Sequence, residues 1–271
     1  MKTRIGIIGL GFVGNAMMNS FINKGYKLND DLFVYDKYKD GGIGSMVDLF
    51  KTDIIFLALP TLYDENKQTY NMTAINDTLE NFKNKDFNGL IVIKSTIEPL
   101  TLNNLCKSYN LNIVHNPEFL TARTAYEDFH NQKHIVIGVP LNCDSNKVSI
   151  IETFYKTNYP NSTISICDSN ESEAMKLFTN NFYAVKVQLF TELYLLCEKL
   201  NINYNNVREL MLKNGWINPM HTIIPGPDGK ISYGGLCFPK DTNALLSLMK
   251  KVDTPHLILE STIKERNSLR D

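Results

Sequence analysis

Two rhythms of apolar residues divide the chain. Up to residue 167, short runs rich in Ile, Val and Leu recur at Arg4–Ile8, Leu32–Asp36, Ile54–Leu59, Gly89–Lys94, Asn112–His115, His134–Val139 and Thr163–Cys167. Stretches of helical length or period lie between them, at Phe12–Lys24, Ala74–Phe82, Thr101–Ser108 and Lys147–Tyr155. Apolar runs bounded by turns suit strands covered on both faces, and their alternation with helices predicts βαβ units wound into a doubly wound parallel sheet. After Asp168 the strand rhythm stops. Glu171–Leu200 holds helix-favouring residues without Gly or Pro, about thirty positions and so roughly 45 Å of helix. A helix at Asn205–Lys213, a loop rich in Gly and Pro from Asn214 to Pro239, and helices at Thr242–Lys251 and His256–Ser268 complete the pattern. The expected architecture is a sheet domain over residues 1–167 and an all-α domain over residues 168–271, joined by the long interdomain helix.

Composition narrows the class. The 271 residues include 43% hydrophobic and 21% charged side chains, which excludes a disordered or fibrous chain and leaves ample core for one large or two modest domains. The 28 Lys and Arg stand against 29 Asp and Glu without a block of either sign, so neither nucleic acid nor a membrane surface is an expected partner, and a small molecule is. Cys106, Cys143, Cys167, Cys197 and Cys237 are odd in number and form no CxxC pair. That pattern points to a reducing cytoplasm, and against a disulfide framework or a metal site. The start, MKTRIGIIGLGFVGNAMM, imitates a signal peptide, but glycines punctuate it and no small-residue cleavage site follows. No apolar run reaches the roughly 18 residues of a membrane span, so a soluble protein is expected.

Chemistry enters at the first turn. Gly9-Leu10-Gly11-Phe12-Val13-Gly14 is a GxGxxG sequence placed directly after a strand and at the start of a helix. There, glycines permit a tight turn and let backbone N–H groups approach a pyrophosphate. Asp36 ends the next strand at about the 20-residue offset of an acid that binds an adenosine ribose, and its charge would repel a 2′-phosphate. The sheet domain reads as Rossmann-like and its cofactor as NAD.

A second centre lies near the end of the chain. Tyr233-Gly234-Gly235-Leu236-Cys237-Phe238-Pro239-Lys240-Asp241 sets a thiol between paired glycines and a cation, before a helix that Asp241 is placed to N-cap. Two glycines let a substrate approach the sulfur, and a lysine and a helix N-terminus raise the thiolate fraction. The other four cysteines are assigned to the buried, inert class from their strand or helix settings. Lys176 and Asn180, four residues apart, share one helical face and offer an ammonium and an amide to a developing oxyanion. Thr96, in Lys94-Ser95-Thr96, and Glu118, in Asn116-Pro117-Glu118-Phe119-Leu120, follow sheet strands, where open α/β sheets bind their ligands.

GLGFVG, Leu59-Pro60-Thr61, KST, NPEFL, KLFTNN and GGLCFPKD occur in the order and spacing of the UDP-glucose/GDP-mannose dehydrogenase family, and the chain resembles that family over almost its whole length. The resemblance implies a metal-free, four-electron oxidation of a nucleotide sugar, UDP-glucose to UDP-glucuronate being favoured, with two NAD+ consumed. It implies Cys237 as nucleophile, Lys176 and Asn180 as stabilisers of alkoxide and oxyanion, and Asp241, Glu118 and Thr96 around the hydrolytic water. Cofactor contacts are implied for Gly9, Gly11, Phe12, Val13, Gly14, Asp36, Pro60, Thr61, Thr96 and Lys240. Substrate contacts are implied for Glu118, Phe119, Leu120, Lys176, Asn180, Tyr233, Gly234 and Gly235. Domain 168–271 becomes the central domain carrying the cysteine loop, with a two-fold dimer through helix 171–200 and its stripe Phe178, Phe182, Val185, Leu189, Leu193 and Leu196. Two alternatives stand beside this: a single-step hydroxy-acid dehydrogenase, which has no use for Cys237, and a non-catalytic NAD-binding remnant, which has no use for intact Cys237, Lys176, Asn180 and Asp241.

Three features depart from the family pattern. Ala122 stands where a second glutamate is usual, residues Pro225–Gly235 contain an insertion, and the arginine often lent across the dimer has no match, His221 in that neighbourhood reading as an ordinary loop residue. The chain stops at Asp271, so a short form without the family's third, nucleotide-binding domain is expected, with loop Pro227–Ser232 covering part of an open nucleotide site.

Overall fold

The computed structural model describes residues 2–141 and 143–270. They divide into two compact units. Residues up to Thr61 together with Asn71–Lys176 form the first, and Leu62–Tyr70 together with the residues from Leu177 onward form the second. The dividing line thus falls after Lys176 rather than at residue 167, and one segment of the N-terminal half belongs with the C-terminal half.

In chain order the elements are β1 (Ile5–Ile8), α1 (Phe12–Asn23), β2 (Leu32–Tyr35), α2 (Met46–Leu49), β3 (Ile54–Leu57), the hairpin β4 (Tyr63–Asp64) and β5 (Thr69–Tyr70), α3 (Thr73–Lys83), β6 (Leu90–Ile93), α4 (Thr101–Tyr109), β7 (Asn112–His115), α5 (Ala125–His130), β8 (His134–Val139), α6 (Ser145–Asn158), β9 (Thr163–Asp168), α7 (Ser169–Leu200), α8 (Tyr204–Lys213), α9 (Phe238–Lys251) and α10 (Leu257–Arg270). The first unit is a seven-stranded sheet in the order β2-β1-β3-β6-β7-β8-β9. Alternate residues of one strand feed opposite faces, as the pleat requires. Ile54 and Phe56 of β3 join Phe21, Phe154 and Tyr155 in one cluster, while Ile55 and Leu57 join Phe82, Ile91 and Ile113 in the other.

The sheet is not wholly parallel. His115 of β7 pairs with Gly138 of β8 in antiparallel fashion, whereas the other pairings in this sheet are parallel. Because β8 sets out from the edge at which β7 ends, the intervening segment turns back instead of crossing over the sheet. Its helix α5 packs on α1, Phe129 meeting Phe21 edge-on with ring centres 5.8 Å apart.

The second unit gathers α8, α9, α10 and most of α7 around Ala184, Val187, Phe190, Tyr204, Ile224 and Tyr233. It is not purely helical, because β4 and β5 dock on α9, with Tyr63 Oη and Ser247 Oγ 2.6 Å apart. Strands of two residues leave no periodicity to read. No helix among the described residues is long and apolar enough to cross a membrane.

Within the first unit, Glu173 on α7 does the work of an N-cap for α4. Leu100, at the cap position, has φ 75° and offers no side-chain bond, and Glu173 accepts from Leu102 N at 2.7 Å. Glu173 is fully buried. Burial pushes its carboxyl up to about 7, against the backbone N–H groups that favour the anion. The unfolded chain releases this proton near the ordinary value of 4.5 and the folded chain keeps it to about 7, so rising pH through that window favours unfolding. Glu173→Gln removes the titration. The melting temperature of wild type should therefore fall relative to the Gln variant between pH 4.5 and pH 7, and a difference that does not change with pH would contradict this.

Candidate active site

The glycine turn is built by close approach. Gly9 has φ 90°, and a Cβ there would lie 2.5 Å from Ala58 O. A Cβ on Gly14 would overlap the carbonyl of Gly9. Gly11, the N-cap of α1, has open space where its Cβ would be. The first turn carries neither a side-chain cap nor an acidic residue, so the N–H groups of Phe12, Val13 and Gly14 have no intrahelical partner and can donate to an anion. Asp36 closes the other side. Its Oδ2 accepts from Leu10 N at 2.7 Å, and its Oδ1 from Tyr38 N and Lys39 N at 3.0 Å each. Burial pushes the Asp36 carboxyl up, but the three backbone donors and Lys39 outweigh it and hold the group below its ordinary value. The residues present thus fit a dinucleotide: donors for a pyrophosphate, and an ionised acid with a lone pair on Oδ2 left for a ribose hydroxyl. Beyond β3, Pro60 is exposed and Thr61 is buried. Thr61 Oγ1 donates to the carbonyl of buried Thr96 at 2.8 Å, which brings these two predicted contacts together.

Still within the first unit, Lys176 meets the loop after β7. Its Nζ donates to the Glu118 carbonyl at 2.6 Å and lies 3.4 Å from Glu118 Oε1, and the Phe119 ring centre is 5.2 Å away. Glu118 Oε2 accepts from Leu120 N at 2.6 Å, so four predicted residues form one cluster. Beneath it lies an anchor that motif reading did not single out. Asn116 Oδ1 accepts from Lys94 Nζ at 2.7 Å and from the Tyr155 hydroxyl, and Asn116 Nδ2 donates to Val136 O at 2.6 Å. Burial pulls Lys94 down to about 7, Glu118 opposing and Lys176 adding to that shift. The available signal was position: Lys94 and Asn116 open the KST and NPEFL motifs. Ala122 is exposed on a 3₁₀ turn.

In the second unit the cysteine loop leads directly into α9. Cys237 itself is the N-cap, half-buried, and Pro239 lies in the first turn. Asp241 is therefore not the cap, as the sequence suggested. One turn inside the helix and fully buried, it faces sideways. Its Oδ2 accepts from Asn180 Nδ2 at 2.6 Å, and its Oδ1 from Lys240 Nζ at 2.5 Å and from the Tyr70 hydroxyl. Asn181 Nδ2 donates to the Asp241 carbonyl at 3.1 Å. Asn180, Lys240 and Asp241 thus meet, together with Tyr70 and Asn181, which motif reading did not single out. Tyr233 is buried, with its hydroxyl 3.5 Å from Thr242 Oγ1. Gly235 has φ 75° and open space beside it.

The loop read as an insertion is tied down. Arg270 lies over Gly234, pairs with Asp228 and donates to the carbonyls of Ile231 at 3.0 Å and Ser232 at 2.6 Å. His221 stacks near Tyr183 and Phe238, with ring centres 4.6 and 5.5 Å apart. Among the other cysteines, burial pushes Cys106 up to about 12 and Cys143 up to about 11, which keeps both as inert thiols, although Cys143 sits in a loop rather than in a helix or strand.

Comparison with known proteins bears on both units. Residues 44–158 match the model of the NAD binding domain of the UDP-glucose/GDP-mannose dehydrogenase family, and residues 170–268 match the model of its central domain. A UDP-glucose 6-dehydrogenase of Rickettsia bellii is 34% identical over 236 residues, covering 82% of this chain and 51% of the relative. One of Campylobacter jejuni is 27% identical over 297 residues, covering 98% of this chain and 72% of the relative. The chain spans about half the length of the Rickettsia relatives it matches. A solved UDP-glucose dehydrogenase of Pyrobaculum islandicum shares the fold, with a TM-score of 0.81 at 20% identity over 97% of this chain and 68% of that one. With consecutive domains of a single family matched along most of its length, the chain belongs to the UDP-glucose/GDP-mannose dehydrogenase family.

Proposed function

We propose that the chain oxidises the primary alcohol of a nucleotide sugar to a carboxylate with NAD, UDP-glucose to UDP-glucuronate being the favoured conversion. The observation that carries the reading is Cys237 at the head of α9, behind two glycines and one turn before a buried Asp241 already held by Asn180 and Lys240. A single hydride transfer has no use for that thiol.

NAD, when bound on the glycine turn and Asp36, accepts the hydride of each oxidation. Lys176 and Asn180 hold the negative charge that develops on the substrate oxygen, first as alkoxide and then as the oxyanion of each tetrahedral adduct. Cys237 sulfur adds to the aldehyde carbon to give a thiohemiacetal, whose oxidation leaves a thioester on the same sulfur. Asp241, with Glu118 and Thr96, orders the water and takes its proton as the water oxygen adds to the thioester carbon. The carbon–sulfur bond then breaks, the acid leaves and the thiolate returns. Tyr233, Gly234, Gly235, Phe119 and Leu120 line the substrate, and Lys240, Pro60 and Thr61 complete the cofactor contacts. Phe178, Phe182, Leu189 and Leu196 of α7 are exposed, an apolar stripe that supports a homodimer.

Titration with limiting UDP-glucose should yield two NADH per sugar. Cys237→Ala should lose acid formation while still binding NAD, and a ratio of one with an aldehyde or ketone product would reject the thioester route. Asp36→Ala should narrow the preference for NAD over NADP at least tenfold in kcat/KM ratio, because the repulsive carboxylate is gone. Equal use of both cofactors by wild type would remove Asp36 as the selector. Light scattering should find a dimer that Phe182→Asp converts to monomer, and a fully active monomer at low concentration would reject the α7 contact.

A further inference from the structure

The hairpin β4–β5 brings an unforeseen phenol to the buried acid of the second unit. Tyr63 and Tyr70 are cross-strand partners, so their rings leave the hairpin on one face. Tyr63 reaches Ser247 of α9. Tyr70, 3% exposed, reaches Asp241, and its ring lies 4.7 Å from Lys240 Nζ.

The groups drawn against the Asp241 carboxylate are Tyr70 from β5, Lys240 from α9 itself and Asn180 from α7, with Asn181 of α7 on its backbone carbonyl. An ionised carboxylate offers about four lone-pair directions. Among the described residues two donors fill Oδ1 and one donor sits on Oδ2, so the direction left for a further donor is on Oδ2, beside the Asn180 amide. The plane of the carboxylate is set by donors from three elements, and an acceptor aimed in one direction is what water activation requires. Burial of the Tyr70 ring needs no hydroxyl, since phenylalanine would fill the same space. The hydroxyl adds a charge-assisted bond on Oδ1 and leaves the unfilled lone-pair direction on Oδ2.

We propose that Tyr70 is a positioning residue for Asp241: its hydroxyl fixes the carboxylate so that Oδ2 presents its remaining lone pair to the hydrolytic water. This rests on the reading of Asp241 as the water-activating group.

Tyr70→Phe removes the hydroxyl and keeps the ring. With UDP-glucose and NAD, kcat should fall about tenfold, the size of one lost charge-assisted bond. KM for both substrates should stay within about twofold. Intact mass of the quenched enzyme should show acyl adduct accumulating on Cys237, because hydrolysis is the slowed step. Tyr63→Phe, which loosens the same hairpin without touching Asp241, should keep the wild-type rate. Unchanged kcat in Tyr70→Phe, or a loss matched by Tyr63→Phe without adduct, overturns the proposal. Asp241→Asn separates the two layers. If it hydrolyses the thioester slowly while Tyr70→Phe behaves as wild type, the role of Tyr70 fails and that of Asp241 stands; if it hydrolyses at the wild-type rate, the reading of Asp241 fails. A turnover-free measurement settles the contact itself. The 13C carboxyl resonance of Asp241, identified by its loss in Asp241→Asn, should move at fixed pH in Tyr70→Phe, since a hydrogen-bond donor to the carboxylate has been removed. An unmoved resonance overturns the proposal whether or not the enzyme turns over.

Discussion

A carboxylate taken wholly out of water must be met by donors, and this requirement at Asp241 organises the second unit. Leaving such a charge without partners costs several kcal/mol. Here the donors come from β5, from α7 and from the neighbouring Lys240. Each donor ties its own element to α9, so the hairpin and the middle of α7 are positioned by the same atoms that hold the acid. Cys237, whose carbonyl accepts from Asp241 N at 3.0 Å, is placed by the same turn of helix. The group proposed to activate water is thus also the group that aligns the loop of the proposed nucleophile.

The first unit solves the same problem with the opposite charge. Lys94 is buried at the end of β6 and finds Asn116 at the end of β7. Asn116 spends its amide on β8, at Val136, and so links three adjacent strands at the point where the chain doubles back. The loop that follows carries Glu118, whose carbonyl and carboxylate receive Lys176. Polar groups inside a core are costly unless fully bonded, and once bonded they specify one arrangement. The residues that open the two motifs are structural in this sense, and the chemistry rests on them.

Two local features support the cysteine loop. The inserted loop before the cysteine is bound by Arg270 through one ion pair and two carbonyls, over a glycine whose missing side chain makes room for the guanidinium. Tyr70 adds a hydroxyl to the acid's environment from a hairpin with almost no secondary structure of its own. Both act on the segment from Ile231 to Asp241, where the proposed nucleophile lies.

Local pattern determined most of what was legible. Strand and helix positions followed from the period of apolar residues, and the glycine turn with Asp36 followed from spacing, because each depends on neighbours a few residues away. The cysteine loop, Lys176, Asn180 and Glu118 were legible as short motifs. The departures arose where distant segments meet. The reversal of β8 depends on where α5 packs, the membership of residues 62–70 depends on two phenols finding α9, and Asp241 abandoned the cap position because Asn180, Lys240 and Tyr70 bond it more completely than the helix end would. Asn116 and Tyr70 gain their roles only through partners that are up to 171 residues apart, and no window of sequence contains both ends of such a bond. The sequence by itself determined which elements form and which residue types are available. Tertiary structure decided which buried charge meets which donor, because a polar group taken out of water is bonded by whatever the fold brings within reach.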